Sequence, residues 1–254
     1  MLEIKRIIPK LEIKNENLIK GIQFEGLRVV GDPIKFAKKF FEDGADQIII
    51  IDIVASLYSR KNLFKTLNKI TDDIFIPITA GGGVRNLEDI EKLLEAGADR
   101  VSINTFALEN QEILSNISEK FGNQFLSVLI EVKKIENKYY CMKNHGRDNS
   151  GIELDKWVEF LKTKGIGEIV IQSIDDDGMC NGLDDNLLSI IQKLKIKIPT
   201  VVGCGMGNLD HCINVLDKDY ISGLTISSSL YSEDIVINKL KSELKRRKIL
   251  INEI

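Results

Sequence analysis

The sequence carries a copy of itself. The segment IPITAGGGVRNLEDI (Ile76–Ile90) returns as IPTVVGCGMGNLDHC (Ile198–Cys212). Pro77 matches Pro199, Gly81 matches Gly203, Gly83 matches Gly205 and Asn86–Leu87 matches Asn208–Leu209, each pair 122 positions apart. EDGADQIIIIDI likewise resembles TKGIGEIVIQSI, with Gly44 set against Gly165. The offset is about half of the 254 residues. A unit recurring once at that spacing describes two similar halves. Two halves of four strand–helix units each close into a single barrel with a pseudo-twofold axis.

The local pattern agrees. Eight short apolar runs read as strands: Ile4–Ile8, Gln47–Ile53, Ile76–Ala80, Arg100–Ile103, Phe125–Glu131, Glu168–Ser173, Thr200–Gly203 and Leu224–Ile226. Near-continuous branched apolar residues are what a parallel strand buried on both faces requires. Amphipathic stretches lie between most of them, such as Pro33–Asp43, Asn86–Ala96 and Leu154–Lys164. Asn86 and Asp155 read as helix starts. Gly44, Gly97 and Gly165 read as left-handed caps before the next strand. The expected fold is therefore α/β: a single (β/α)8 TIM barrel spanning 1–254, with half-barrels of about 1–123 and 124–254. A doubly wound open sheet is the main rival.

Composition excludes several classes. The net charge of −3 gives no general attraction to nucleic acid or an anionic membrane. The basic run Lys239–Lys248 is broken by Glu243 and apolar residues, and reads as the solvated face of a terminal helix. MLEIKRIIPKLEIK is charged throughout and has no signal-peptide core. The four cysteines show no C-x-x-C spacing and only His145 and His211 accompany them, which points to reduced thiols in the cytoplasm and to no metal. No motif calls for a cofactor.

Chemistry-bearing residues gather at predicted strand ends. Gly81-Gly82-Gly83 and Gly203-Cys204-Gly205 each follow a strand and precede a helix, where backbone N–H groups and the helix terminus suit an anion. One such turn needs no ligand. Two at repeat-equivalent positions, with the hydroxyl- and amide-bearing strand ends Ser102–Thr105 and Ile226–Ser229, point to a long ligand phosphorylated at both ends. Glu12, Asp52, Glu131 and Asp177 fall at or just after strand ends, where barrel enzymes do their chemistry. Glu12 and Glu131, one per half, suit a pair dividing proton donation and removal. Asp175, Asp176, Asp184 and Asp185 read as solvated. Lys20–Asp32 reads as a long loop able to fold over a substrate, with Lys20 adding a phosphate contact. Cys204 and Trp157 read as packing residues.

These residues carry a family resemblance. RIIPKLEIK, LIKG, FEGLRVVGDP, GGGVRNLEDIEKLLEAGADRVSINT, SGI (Ser150–Ile152), GEIVIQSIDDDG and ISSSLY, from Lys5 to about Tyr231, resemble the HisF family, the cyclase subunits of imidazole glycerol phosphate synthase. The resemblance implies a barrel working with a HisH-like glutaminase in a heterodimer. Ammonia from that partner would pass through the barrel and react with a bis-phosphorylated aminoimidazole-carboxamide nucleotide, which is cleaved and cyclised. It further implies that Gly82, Asn104 and Thr105 hold one phosphate, and Gly203, Gly205, Ser228 and Ser229 the other. Lys20 would lie in a mobile first loop, and Asp52 and Asp177 near the substrate. Arg6, Gln47, Arg100 and Glu168 would form an ammonia gate, and Asp99 would face the partner.

The departures are specific. The family's paired catalytic aspartates fall on Glu12 and Glu131, each one methylene longer. Gln47 replaces an acid of the gate. Gln172 and Met179 stand where threonine is common, and Gly203-Cys204-Gly205 replaces a Ser-Gly-Gly turn. Two other readings therefore stand: a HisF-like paralog delivering ammonia to an amino sugar of a surface polysaccharide, and a non-catalytic scaffold that activates a glutaminase.

Overall fold

The computed structural model describes residues 4–54 and 61–252. Its strands are β1 (Arg6–Lys14), β2 (Asn17–Ile22), β3 (Glu25–Gly31), β4 (Ile48–Asp52), β5 (Ile78–Gly81), β6 (Arg100–Ile103), β7 (Leu126–Ile135), β8 (Lys138–Lys143), β9 (Asp148–Glu153), β10 (Glu168–Ser173), β11 (Thr200–Gly203) and β12 (Gly223–Ile226). Eight of them pair in parallel in the ring β1-β4-β5-β6-β7-β10-β11-β12, and β12 returns to β1 with Arg6 opposite Gly223. Helices lie between successive ring strands, so the fold is a closed (β/α)8 TIM barrel rather than an open sheet.

Every ring strand is buried on both faces, and its two columns of side chains part company. On β1, Ile7, Leu11 and Ile13 join the large core between sheet and helices. Ile8 instead joins Ile49, Ile51, Leu129, Val170 and Val201 in a separate cluster inside the ring. Period-two alternation places Arg6, Lys10 and Glu12 on the same inward column as Ile8. The barrel interior is thus apolar at mid-height and polar at both ends.

The repeat reappears as local geometry. Asn86 and Asn208 are extended caps of the same shape, accepting from Asp89 N and His211 N respectively. Asn104 (φ −131°, ψ −85°) and Ser227 (φ −127°, ψ −86°) share an unusual conformation at the start of short helices. Gly44, Gly97 and Gly165 take positive φ, as expected of caps.

Other expectations need correction. The first strand is Arg6–Lys14 rather than Ile4–Ile8, because a run of alternating Lys and Glu continues it through the barrel mouth. The fifth ring strand likewise runs on to Ile135. Helices end at Glu42, Glu95 and Leu161, short of their expected ends. Asp155 does not start its helix; Glu153 caps it and Asp155 sits in the first turn. Lys20–Asp32 is no irregular loop: β2 and β3 form a hairpin that extends β1, with Glu12 opposite Ile19. A second hairpin, β8–β9, extends β7, with Glu131 opposite Met142. Asp185 is exposed as expected, but the other three aspartates after β10 are not merely solvated. Asp184 caps the helix Asp185–Lys193 and accepts the Tyr139 hydroxyl, Asp175 accepts Lys134 N, and Asp176 accepts Asp184 N. Trp157 packs as expected, fully buried and stacked on Phe160 at 5.3 Å. Among the described residues, no helix is long and apolar enough to cross a membrane.

The terminal helix Ile237–Arg246 is not a wholly solvated basic face. Lys241 is buried and its Nζ lies 2.7 Å from Asp46 Oδ1, while Asp46 Oδ2 accepts Ile7 N at 2.7 Å. One carboxylate therefore ties the last helix to the first strand. Lys241→Met is expected to lower stability by about 3–5 kcal/mol, because a buried carboxylate loses its counter-charge. A urea titration checks this.

Candidate active site

Glu12 and Glu131 stand on opposite sides of the carboxyl-terminal mouth, since β1 and β7 are diametrically placed in the eight-strand ring. Both side chains are almost wholly buried. Their surroundings differ in kind.

Glu12 sits among cations. Its Oε1 lies 2.7 Å from Lys10 Nζ and its Oε2 3.1 Å from Lys20 Nζ. Lys20 also bonds both Asp177 oxygens, at 2.7 and 2.8 Å, and Lys10 donates to Gln172 Oε1 at 2.6 Å. Burial works against the Glu12 carboxylate, but Lys10 and Lys20 outweigh it, with a smaller contribution from His145, and hold its pKa well below the ordinary carboxylate range. Burial likewise opposes charge on Lys20, yet Glu12 and Asp177 hold the ammonium above its usual range. Lys10 is shifted in the same direction, with burial opposed by Glu12. Four buried charges thus form a neutral chain of alternating sign.

Glu131 sits among neutral donors. Oε2 accepts Asn104 Nδ2 at 3.0 Å and Gly146 N at 3.1 Å, and Oε1 lies 3.5 Å from His145 Nδ1. Asn104 is fixed in turn by the Met142 carbonyl at 3.1 Å.

Two cavities flank this pair. The larger, about 750 Å³, is lined by Asp52, Gly82, Gly83, Arg85, Asn104, Thr105, Glu131, His145 and Arg147, among others. Only glycine fits at Gly82, where φ is +111° and a Cβ would lie 2.1 Å from the Asp52 carbonyl. Asp52 itself accepts Val54 N at 3.0 Å, and Thr105 Oγ1 accepts Asn144 N at 2.9 Å. The smaller cavity lies across the mouth between β10, β11 and β12. It is lined by Lys10, Gln172, Asp177, Cys204, Gly205, Ser228 and Ser229, among others, and encloses only about 20 Å³, little more than one water. Gly203 lies behind it at the end of β11, where a Cβ would strike Thr225 Oγ1. Cys204 faces this cavity as a thiol: burial pushes its pKa well up, which suits packing rather than nucleophilic attack.

The opposite end of the barrel carries a second polar constellation. Arg6, Gln47, Arg100 and Glu168 all stand at the amino ends of their strands and touch. Arg6 Nη1 reaches Glu168 Oε2 at 2.6 Å and Gln47 Oε1 at 2.8 Å. Arg100 Nη1 reaches Gln47 Oε1 at 3.1 Å and Glu168 Oε2 at 3.7 Å. Gln47 Nε2 donates to Thr79 Oγ1, and Ser127 Oγ to Glu168 Oε1. Gln47, uncharged, leaves this ring with one net positive charge. Asp99 is exposed at the same end and accepts Ile78 N at 2.7 Å.

Lys10 and His145 were not singled out as site residues from the sequence. Counting in twos from Ile8 to Glu12 places Lys10 on the inward column, a signal available without the structure. His145 lies in a hairpin turn with no period to announce it.

A closed (β/α)8 barrel with buried acids and two glycine-bearing turns around its carboxyl-terminal mouth belongs to the class of barrel enzymes with a site at that face. The histidine biosynthesis protein family matches this chain over residues 6–236, and the chain belongs to that family. It is similar to the imidazole glycerol phosphate synthase subunit HisF of Natranaerobius thermophilus, with 38% identity over 96% of each chain. It is 41% identical to the HisF subunit of Legionella pneumophila, covering 81% of this chain and 97% of that one. The Sulfolobus acidocaldarius HisF subunit is 37% identical, covering 91% and 92%.

The charge chain makes stability pH-dependent with a definite sign. Glu12 is depressed in the folded state, so its contribution is present above its ordinary value of 4.5 and lost as pH falls below it. Lys10 is raised, so its contribution is present below 10.5 and lost only at higher pH. Glu12→Gln should therefore flatten the loss of stability on acidification, read as the urea midpoint at successive pH values. An acid limb as steep as that of the unmodified protein would show that Glu12 is not held in this way.

Proposed function

We propose that this chain is the ammonia-dependent synthase/cyclase subunit of an imidazole glycerol phosphate synthase, acting in histidine biosynthesis in the cytoplasm. In this reading the whole chain, 1–254, is one barrel domain of two half-barrels. Its substrate is a bis-phosphorylated aminoimidazole-carboxamide nucleotide, which ammonia cleaves and cyclises. The observation that carries this is the placement of two glycine turns on opposite sides of one mouth, with a buried carboxylate on each side between them. A ligand with a phosphate at each end matches that spacing. Gly82, Asn104 and Thr105 take one phosphate; Gly203, Gly205, Ser228 and Ser229 take the other.

The partner is a HisH-like glutaminase docked on the amino-terminal face beside Asp99. Ammonia enters past Arg6, Gln47, Arg100 and Glu168. Glu12 and Glu131 exchange protons with the reacting groups, and Asp52 and Asp177 stand beside them. Glu12 in its lysine clamp is ionised and too weak a base to take a proton. An incoming phosphate that draws Lys20 toward itself relieves the clamp and raises the basicity of Glu12, so substrate binding switches on the acceptor.

One observation favours a second reading, ammonia transfer to an amino sugar of a surface polysaccharide. The second pocket, lined in part by the bonded pair Lys10 and Gln172, has space for about one water. A substrate with a single terminal phosphate cluster would not need that space.

The deciding experiment is turnover of the bis-phosphorylated nucleotide with excess ammonium salt at alkaline pH, with no partner present. Formation of imidazole glycerol phosphate is expected. Glu131→Gln should then lower kcat by about a hundredfold or more while leaving nucleotide binding nearly intact. Absence of both binding and turnover in the unmodified protein would overturn the histidine-pathway reading in favour of the amino sugar.

A further inference from the structure

We propose that His145 joins Glu131 in a dyad, with Nε2 of His145 exchanging protons with the substrate beside the carboxylate. The inference rests on the reading of this pocket as the seat of the ammonia-dependent reaction.

Three observations converge. First, His145 Nε2 is, among the described residues, the one buried side-chain nitrogen or oxygen without a hydrogen-bond partner. Its side chain is only 10% exposed. Leaving a buried polar atom unpaired costs about 1–3 kcal/mol, so it calls for a reason. Second, the other ring nitrogen faces Glu131. Nδ1 lies 3.5 Å from Oε1, while Oε2 is already taken by Asn104 and Gly146 N. A carboxylate facing Nδ1 favours the tautomer that bears its lone pair on Nε2, and stabilises the imidazolium once that atom is protonated. Third, the ring is held. It stacks on Phe24 with centroids 4.4 Å apart and planes 7° from parallel, and its backbone is in the left-handed region at φ +58°. Such a conformation costs a non-glycine residue about 1–3 kcal/mol and persists where the surroundings impose it. Both members of the dyad line the large cavity beside Gly82, Asn104 and Thr105.

The chemistry balances. Ammonia adding to a substrate carbon leaves a surplus proton on the new nitrogen. Nε2 takes that proton and becomes part of an imidazolium paired with Glu131. When the bond to the departing nitrogen breaks, the electron pair stays on that nitrogen and Nε2 returns the proton to it, restoring the neutral ring. The charged groups around the imidazole are Glu131 on β7, Glu12 and Lys10 on β1, Lys20 on β2, Arg147 in the hairpin turn and Asp148 at the start of β9.

The test has two arms. The first needs no substrate: nitrogen-15 NMR of the free protein, titrated with pH. The neutral His145 ring should carry its proton on Nδ1, and Glu131→Gln should weaken that preference. A proton on Nε2, or a tautomer preference indifferent to Glu131→Gln, overturns the dyad even if the protein turns over the nucleotide. The second arm uses His145→Gly, since glycine accepts the left-handed backbone without strain. With ammonium salt, kcat should fall about a hundredfold or more with KM little changed. Added imidazole should restore part of kcat. Unchanged kcat, or a loss that imidazole does not relieve, overturns the proposal. If the unmodified protein makes no product, the histidine-pathway reading fails by itself and the dyad is judged by the NMR arm.

Discussion

A parallel strand buried on both faces has two columns of side chains, and closing the sheet sends one of them inward. The rest of this structure depends on that constraint. β1 spends its outward column on Ile7, Leu11 and Ile13, which glue the sheet to the helices. Its inward column runs Arg6, Ile8, Lys10, Glu12, so a single strand contributes to the lower polar ring, the middle apolar layer and the upper charge chain. β7 does the same with Ser127, Leu129 and Glu131, and β10 with Glu168, Val170 and Gln172. Register across the ring then aligns Gln172 with Glu131. The site needs no loop to bring these groups together.

The upper layer shows what burial demands of charge. Lys10, Glu12, Lys20 and Asp177 are each nearly inaccessible, and each ion faces one or two of opposite sign. Removing a single member strands the next, so the four stand or fall together. The two hairpins complete the arrangement. Phe24 at the tip of β2–β3 lies beneath Lys10 and Lys20 and stacks on His145 at the tip of β8–β9. One aromatic ring thus links the cationic side of the mouth to the amide-lined side.

Much of this was legible in the sequence, for physical reasons. The ring strands announce themselves because branched apolar residues fill both columns. The half-chain repeat survives in paired asparagine caps and glycine turns, since those positions tolerate few alternatives. The hairpins were not legible. Ile22, Val29 and Val30 are exposed on β2–β3, so its residues lack the buried alternation that marks a strand, and Lys20–Asp32 reads as a loop. Lys10 was overlooked because a lysine inside a strand suggests solvent, and only the neighbouring carboxylate makes its burial tolerable. Gln47, Arg100 and Glu168 stand far apart in sequence, and only a family resemblance groups them before the barrel does so in space.

The apolar girdle of Ile8, Ile49, Ile51, Leu129, Val170 and Val201 separates two charged compartments within one small cylinder. Born's law sets the terms for crossing it: a hydrated ion would have to shed its shell for hydrocarbon, whereas a small dipole forfeits only a hydrogen bond or two. The girdle therefore favours neutral species over charged ones, from whichever side they come. Any amine that crossed it would do so as the free base, with its lone pair available.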